Sequence, residues 1–151
     1  MNDRSDIKAK EAYVNYLTKH GYVDVQIVHS PVDIIAYKNG VKHFFEIKAT
    51  TRKNSYFGAA TFTEWECALK NKEFFKFVVV KDLDEEYEFY EFTPEEFMEY
   101  STIPPIKVYF NIDLNQKSKV KRNGTALKMS KEAFFELNET YKKLKNIVKK
   151  K

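Results

Sequence analysis

The chain has 151 residues, a mass of 17.9 kDa and a net charge of +4, and 43% of it is hydrophobic, with 13 Phe and 10 Tyr. That suits a single compact domain, and only four Gly and four Pro argue against a disordered or fibrous chain. A single Cys excludes an internal disulfide and fits a reducing compartment; no apolar run could span a bilayer or form a signal-peptide core, so a cytoplasmic protein without membrane contact is expected.

The charge is unevenly placed. Residues 101–151 hold 13 Lys and Arg against 4 Asp and Glu, a net of +9, so with a total of +4 residues 1–100 carry −5. Residues 82–99 hold nine acidic residues and no basic one. One end suits a polyanion, and one hairpin would avoid it.

In chain order, residues 4–20 read as a helix, with Ile7, Tyr13, Val14 and Leu17 at near-helical spacing and Gly21 as C-cap. Residues 22–29 alternate as a strand. Residues 32–38 and 41–49 form a hairpin around Asn39-Gly40, the strongest two-residue turn signal. A polar loop follows over 50–60. Thr63 with Glu66 matches a capping box that opens a helix to about residue 72. FFKFVVV at 74–80 has the continuous apolar run of a fully buried strand, and 86–92 alternates as an edge strand. Thr93-Pro94 starts a short helix, and Pro104-Pro105 breaks the chain. Residues 106–112 read as a strand and 115–124 as a basic loop or weak hairpin. Ser130 caps a helix over 131–148 whose stripe is Ala133, Phe134, Leu137, Tyr141, Leu144 and Val148. The order α-β-β-β-α-β-β-α-β-α predicts one α/β domain with a mixed sheet, its core at about 4–112 and the basic loop and C-terminal helix at 113–151.

The hairpin carries charged residues where apolar ones are expected. A two-residue turn pairs Lys38 with Val41, and the same register puts Asp33 directly opposite Glu46. Ile35, Tyr37, Phe44 and Lys48 share their face; Ile34, Ala36, Phe45 and Ile47 form an apolar face suited to a helix, with His43 interrupting it near the turn. Carboxylates facing across a strand pair sit about 5 Å apart at Cβ and repel, so they need a cation, a shared proton, or both. Lys48 is the nearest cation in the chain. A divalent metal is the other answer, since Mg²⁺ is typically held by one or two carboxylates with waters and phosphate oxygens. Two acids, a lysine and a metal are the parts of a phosphodiesterase site.

Residues 31–48, P-V-D…E-I-K, resemble the core motif of the PD-(D/E)xK nuclease superfamily, the restriction-endonuclease-like fold, a mixed β-sheet flanked by helices with an α-β-β-β-α-β core. Here the Pro-Asp pair is spread to Pro31-Val32-Asp33. The resemblance implies that Asp33 and Glu46 bind Mg²⁺ or Mn²⁺, that Lys48 is the catalytic lysine, and that Glu11 on the first helix completes the metal shell. A narrower likeness covers residues 46–80, which look like the C-terminal domain of NO VEIN-type proteins, a group often found with bacterial defence systems; Glu46, Lys48, Thr50, Phe62, Glu64 and Trp65 sit in the corresponding places.

Around this site Lys42, Arg52 and Lys53, followed by Tyr56 and Phe57, suit phosphates with rings against sugars or bases, and Lys117, Lys119, Lys121 and Arg122 form a second candidate backbone-binding element. His20, His29 and His43 are not spaced as a metal set; Trp65 and Cys67 read as packing residues. There is no Gly-rich phosphate loop, serine-nucleophile motif or zinc spacing, which argues against an NTPase, a serine hydrolase and a zinc finger. The expectation is a metal-dependent nuclease acting on DNA, with a non-catalytic nucleic-acid- or protein-binding module of the same fold as the alternative. A domain of this size cutting both strands of a duplex would often work as a homodimer, though nothing in the chain marks an interface.

Overall fold

The computed structural model describes residues 3–119 and 127–149, and it divides into two compact units, Met1–Thr102 and Ile103–Lys151. The boundary falls beside Pro104-Pro105, about ten residues before the expected end of the core.

The first unit begins with helix α1 (Asp3–Lys19), which ends where Gly21 takes a positive φ of 88°. Strands β1 (Val23–Ile27), β2 (Ile34–Lys38) and β3 (Val41–Thr50) follow, then helix α2 (Phe62–Lys70), a 3₁₀ turn (Lys72–Phe74), strands β4 (Phe75–Asp82) and β5 (Tyr87–Phe92), and helix α3 (Pro94–Glu99). The five strands form one sheet in the order β1-β2-β3-β4-β5, parallel only between β3 and β4. A mixed sheet flanked by helices, in the order α-β-β-β-α-β, is compatible with the restriction-endonuclease-like fold. The parallel pair needs a crossover, and α2 supplies it.

Both faces of the sheet are covered. On one, Ala9, Tyr13 and Leu17, four residues apart along α1, pack on Ile34, Ala36, Phe45, Ile47, Val78 and Val80. Ile7, expected on that stripe, is 53% exposed; it lies two positions before Ala9, about 200° around the helix from the buried row. On the other, Cys67 and Ala68 of α2 pack with Val32, Phe75 and Phe77, and Trp65 and Phe97 join them. Each fully buried aromatic or aliphatic side chain stabilises the fold by about 1.5–3 kcal/mol. β4, central between β3 and β5, is buried on both faces, as its apolar run predicts.

Helix α2 starts two residues earlier than expected. Two overlapping T-x-x-E patterns occur, and Thr61–Glu64, not Thr63–Glu66, forms the capping box: Thr61 accepts from the Glu64 backbone and Glu64 reaches back to the Thr61 N–H. Glu66 instead pairs with Lys70 one turn on, in solvent.

The second unit holds a two-stranded hairpin, β6 (Ile112–Asp113) and β7 (Ser118–Lys119), and helix α4 (Lys131–Lys149). Residues 106–111, expected as a strand, form none. They are rich in β-branched and aromatic residues, but a strand needs a neighbour to complete its ladder, and Ile106, Val108, Tyr109 and Phe110 are exposed.

Candidate active site

The β2–β3 register is the one the Asn39-Gly40 turn dictates, from Lys38↔Val41 to Ile34↔Phe45. Asp33 lies one residue beyond, across from Glu46. Its backbone carbonyl accepts from Val28 N at 2.8 Å, and its side chain takes over where the ladder ends: Oδ2 accepts from Ile47 N at 2.9 Å. Oδ1 lies 3.1 Å from Lys10 Nζ on α1.

Glu46 is only 5% exposed. Burial pushes its carboxyl well above the ordinary carboxylate range; the hydrogen bond to Asp33 and the charges of Asp33 and Glu64 push the same way, and Lys48 opposes them. This is the state of two facing carboxylates balanced by a proton. Lys48 follows two residues along the same face. Its Nζ donates to Glu64 Oε1 at 2.7 Å and lies 3.7 Å from Glu46 Oε1. Burial acts against the Lys48 ammonium, but the hydrogen bond to Glu64 and the charges of Glu46, Glu64 and Asp33 outweigh it and raise its pKa. Lys48 is therefore a cation that donates, not a base.

Asp33, Glu46 and Lys48 open onto one cleft of about 230 Å³, lined also by Asp6, Lys10, Tyr56 and Ala59. Glu11 does not reach it. Glu11 lines a separate open groove with Val14, Asn15, Val25 and Ile27. At 100° per residue on a helix, its neighbour Lys10 faces Asp33 instead, and Asp6, one turn before Lys10, is the α1 carboxylate on the cleft.

Among the described residues no group of three or more His, Cys, Asp or Glu side chains is placed to hold a metal ion. The facing pair alone still fits a cation of the Mg²⁺ class, which takes one or two carboxylates and completes its shell with water and phosphate oxygens. The raised Glu46 carboxyl supports the fit, because a divalent charge between the two groups removes the repulsion that the proton now relieves.

The remaining predicted residues lie at varying distance. Lys42 is exposed at the start of β3, on the Glu46 face but about 13 Å away along the strand, with its Nζ over the Phe44 ring. Arg52 and Lys53 are exposed on the loop after β3, where the Arg52 N–H donates to Thr50 and the Lys53 carbonyl accepts from Lys81. Tyr56 of that loop lines the cleft, and Phe57 is 95% exposed. Lys117 is exposed in the β6–β7 turn and Lys119 lies in β7; Lys121 and Arg122 fall outside the described residues. Trp65 packs against Phe77, with ring centroids 4.8 Å apart, and Cys67 is buried.

Sequence reasoning did not single out Lys10 or Asp6, and marked Glu64 only as one of the residues matching the NO VEIN-type likeness, with no role. A signal existed for Glu64: it is the N3 position of a capping box, and N3 carboxylates are held in place by the helix start.

The model of the family described as Protein NO VEIN, C-terminal, matches residues 5–92, from α1 through β5, and the chain belongs to that family. Comparison with curated proteins and with solved structures gave no significant match.

Proposed function

We propose that this protein is a metal-dependent nuclease of the PD-(D/E)xK type that hydrolyses phosphodiester bonds in DNA. The observation that carries the reading is the meeting of Asp33, Glu46 and Lys48 in one cleft, with the two carboxyls opposed and the lysine charged. Membership of the family described as Protein NO VEIN, C-terminal, supports it through the resemblance of residues 31–48 to the PD-(D/E)xK core motif.

Asp33 and Glu46 would hold Mg²⁺ or Mn²⁺, which when bound acidifies water and polarises a phosphoryl oxygen. The chain's own residues do the rest. Glu46 would act as a ligand in its ionised form, its proton passing to solvent. Asp33 is kept in place by the Ile47 N–H on one oxygen, and the other, now paired with Lys10, would be the one to hold a cation. The Lys48 ammonium, fixed by Glu64, donates to the attacking water or to the charge that develops on the phosphoryl oxygens. Tyr56 lines one side of the cleft, and Arg52 and Lys53, exposed on the same loop, would meet flanking phosphates.

The test incubates wild type and Lys48→Ala, matched for folding by circular dichroism, with supercoiled plasmid, single-stranded DNA and RNA in Mg²⁺, Mn²⁺ or EDTA. Metal-dependent cutting of DNA by wild type, reduced at least about 100-fold in the variant, is the expected result. Equal cutting by both proteins would reject Lys48 as the catalytic centre.

A second reading, a non-catalytic binding module of the same fold, draws on the two ion pairs. Lys10 on Asp33 and Lys48 on Glu64 already neutralise the cleft. It predicts salt-sensitive binding to the same nucleic acids with no cutting by either protein.

A further inference from the structure

The two lysines of the cleft are held differently. Lys48 stands on the sheet with its side chain 16% exposed, donates to Glu64 Oε1 at 2.7 Å and lies 3.7 Å from Glu46 Oε1. Glu64 is itself held by the Thr61 hydroxyl at the start of α2. Lys10 reaches in from α1, its side chain 24% exposed, and meets one carboxylate: its Nζ lies 3.1 Å from Asp33 Oδ1. Among the described residues it makes no other ion pair. Asp33 Oδ2 already accepts from Ile47 N at 2.9 Å, so Oδ1 is the oxygen left for a cation, and an ammonium sits on it.

We infer that Lys10 is a removable counter-ion of Asp33, which a divalent cation must displace, and that it thereby sets the concentration of Mg²⁺-class ion at which the cleft loads. The inference rests on the proposed reading of Asp33 and Glu46 as a cation site. Two cations within about 4 Å of one another repel even in water, so an ammonium and a divalent ion do not share Oδ1. Displacement is open to Lys10 and closed to Lys48. Lys10 has one contact to break and an unbranched stem to swing on, whereas Lys48 is wedged between two carboxylates. Lys10 also has somewhere to go. Asp6 lines the same cleft four residues earlier on α1, and an acid four residues ahead of a lysine is the favourable spacing for an ion pair along a helix. With no divalent ion present, Lys10 keeps Asp33 paired.

The experiment titrates the full chain with Mn²⁺ alone, without nucleic acid, at one pH and ionic strength. The dissociation constant is read from electron paramagnetic resonance or water-proton relaxation, and folding is checked by circular dichroism and melting in EDTA. Lys10→Met keeps the stem and removes the charge; it is expected to bind Mn²⁺ about tenfold more tightly than wild type. Should that variant fail to fold, Lys10→Gln, which can still donate to Asp33, carries the same expectation. Lys10→Arg keeps the charge and should not tighten binding. Lys8→Met removes an equal charge from an exposed position about 200° around the helix, and should stay within about twofold of wild type. Equal affinities in wild type and the uncharged Lys10 variant overturn the inference and leave the cation site standing. Equal tightening in Lys8→Met overturns it as well, because net charge alone then accounts for the change. Absence of Mn²⁺ binding in every protein removes the cation site itself, and the inference with it.

Discussion

Glu46 combines deep burial with an ionisable group, and its stability consequence has a definite sign. Burial first, and the Asp33 contact second, lift its carboxyl from the ordinary 4.5 to about 9. Between those values the folded chain holds a proton that the unfolded chain has lost. The contribution to stability is therefore fully present below pH 4.5 and is lost as pH rises through about 9. Glu46→Gln keeps the shape and the hydrogen-bonding capacity but cannot ionise. It is expected to match wild type near about pH 4 and to be more stable by roughly 1–3 kcal/mol near about pH 9, read from urea midpoints across pH. Adding Mg²⁺ at the higher pH should raise the melting temperature of wild type by a few degrees and leave Glu46→Gln unmoved. Parallel pH profiles for the two proteins would show that another group titrates.

At the scale of the element, the start of α2 governs the lysine. Thr61 accepts the Glu64 N–H at 3.2 Å and donates its hydroxyl to Glu64 Oε2 at 2.8 Å, while Glu64 Oε1 receives Lys48. Thr61→Ala is expected to cost about 1 kcal/mol of stability through the lost cap. If the cap also fixes Glu64, it should reduce any cleavage rate more than that loss explains, whereas Thr63→Ala, outside the box, should leave both near wild type. The same element shows where sequence reasoning stops. Asn39-Gly40 fixed the β2–β3 register residue by residue, because a two-residue turn allows few alternatives, and Asp33 opposite Glu46 followed from it. Two T-x-x-E strings two residues apart had no such discriminator; in the fold Glu64 also accepts from Lys48, whereas Glu66 pairs with Lys70 in solvent, a difference neither string carries. On α1 polar residues crowd both sides of the buried row, so a choice between Lys10 and Glu11 needed the helix phase set by Ala9, Tyr13 and Leu17. Residues 106–111 failed for the opposite reason: their strand preference is strong, but propensity does not supply a partner strand.

At the scale of the whole molecule, the proposed nuclease reading requires one of the two units to meet a polyanion. The first unit contains the sheet, both apolar clusters, the cleft and the full extent of the family match, and residues 1–100 carry −5. Residues 101–151 carry +9. A chain ended after Thr102 is expected to fold with a cooperative transition, because every residue of both clusters is retained. If the second unit supplies most of the phosphate contacts, that shortened chain should bind duplex DNA roughly tenfold more weakly than the full chain at moderate salt, with a shallower dependence of affinity on salt concentration. Fluorescence anisotropy over a salt series measures both. An unchanged affinity and slope would assign the contacts to Arg52, Lys53 and the cleft loop instead. Arg52→Ala with Lys53→Ala would then be the substitutions that flatten the slope, because each phosphate contact removed lowers it by about one unit.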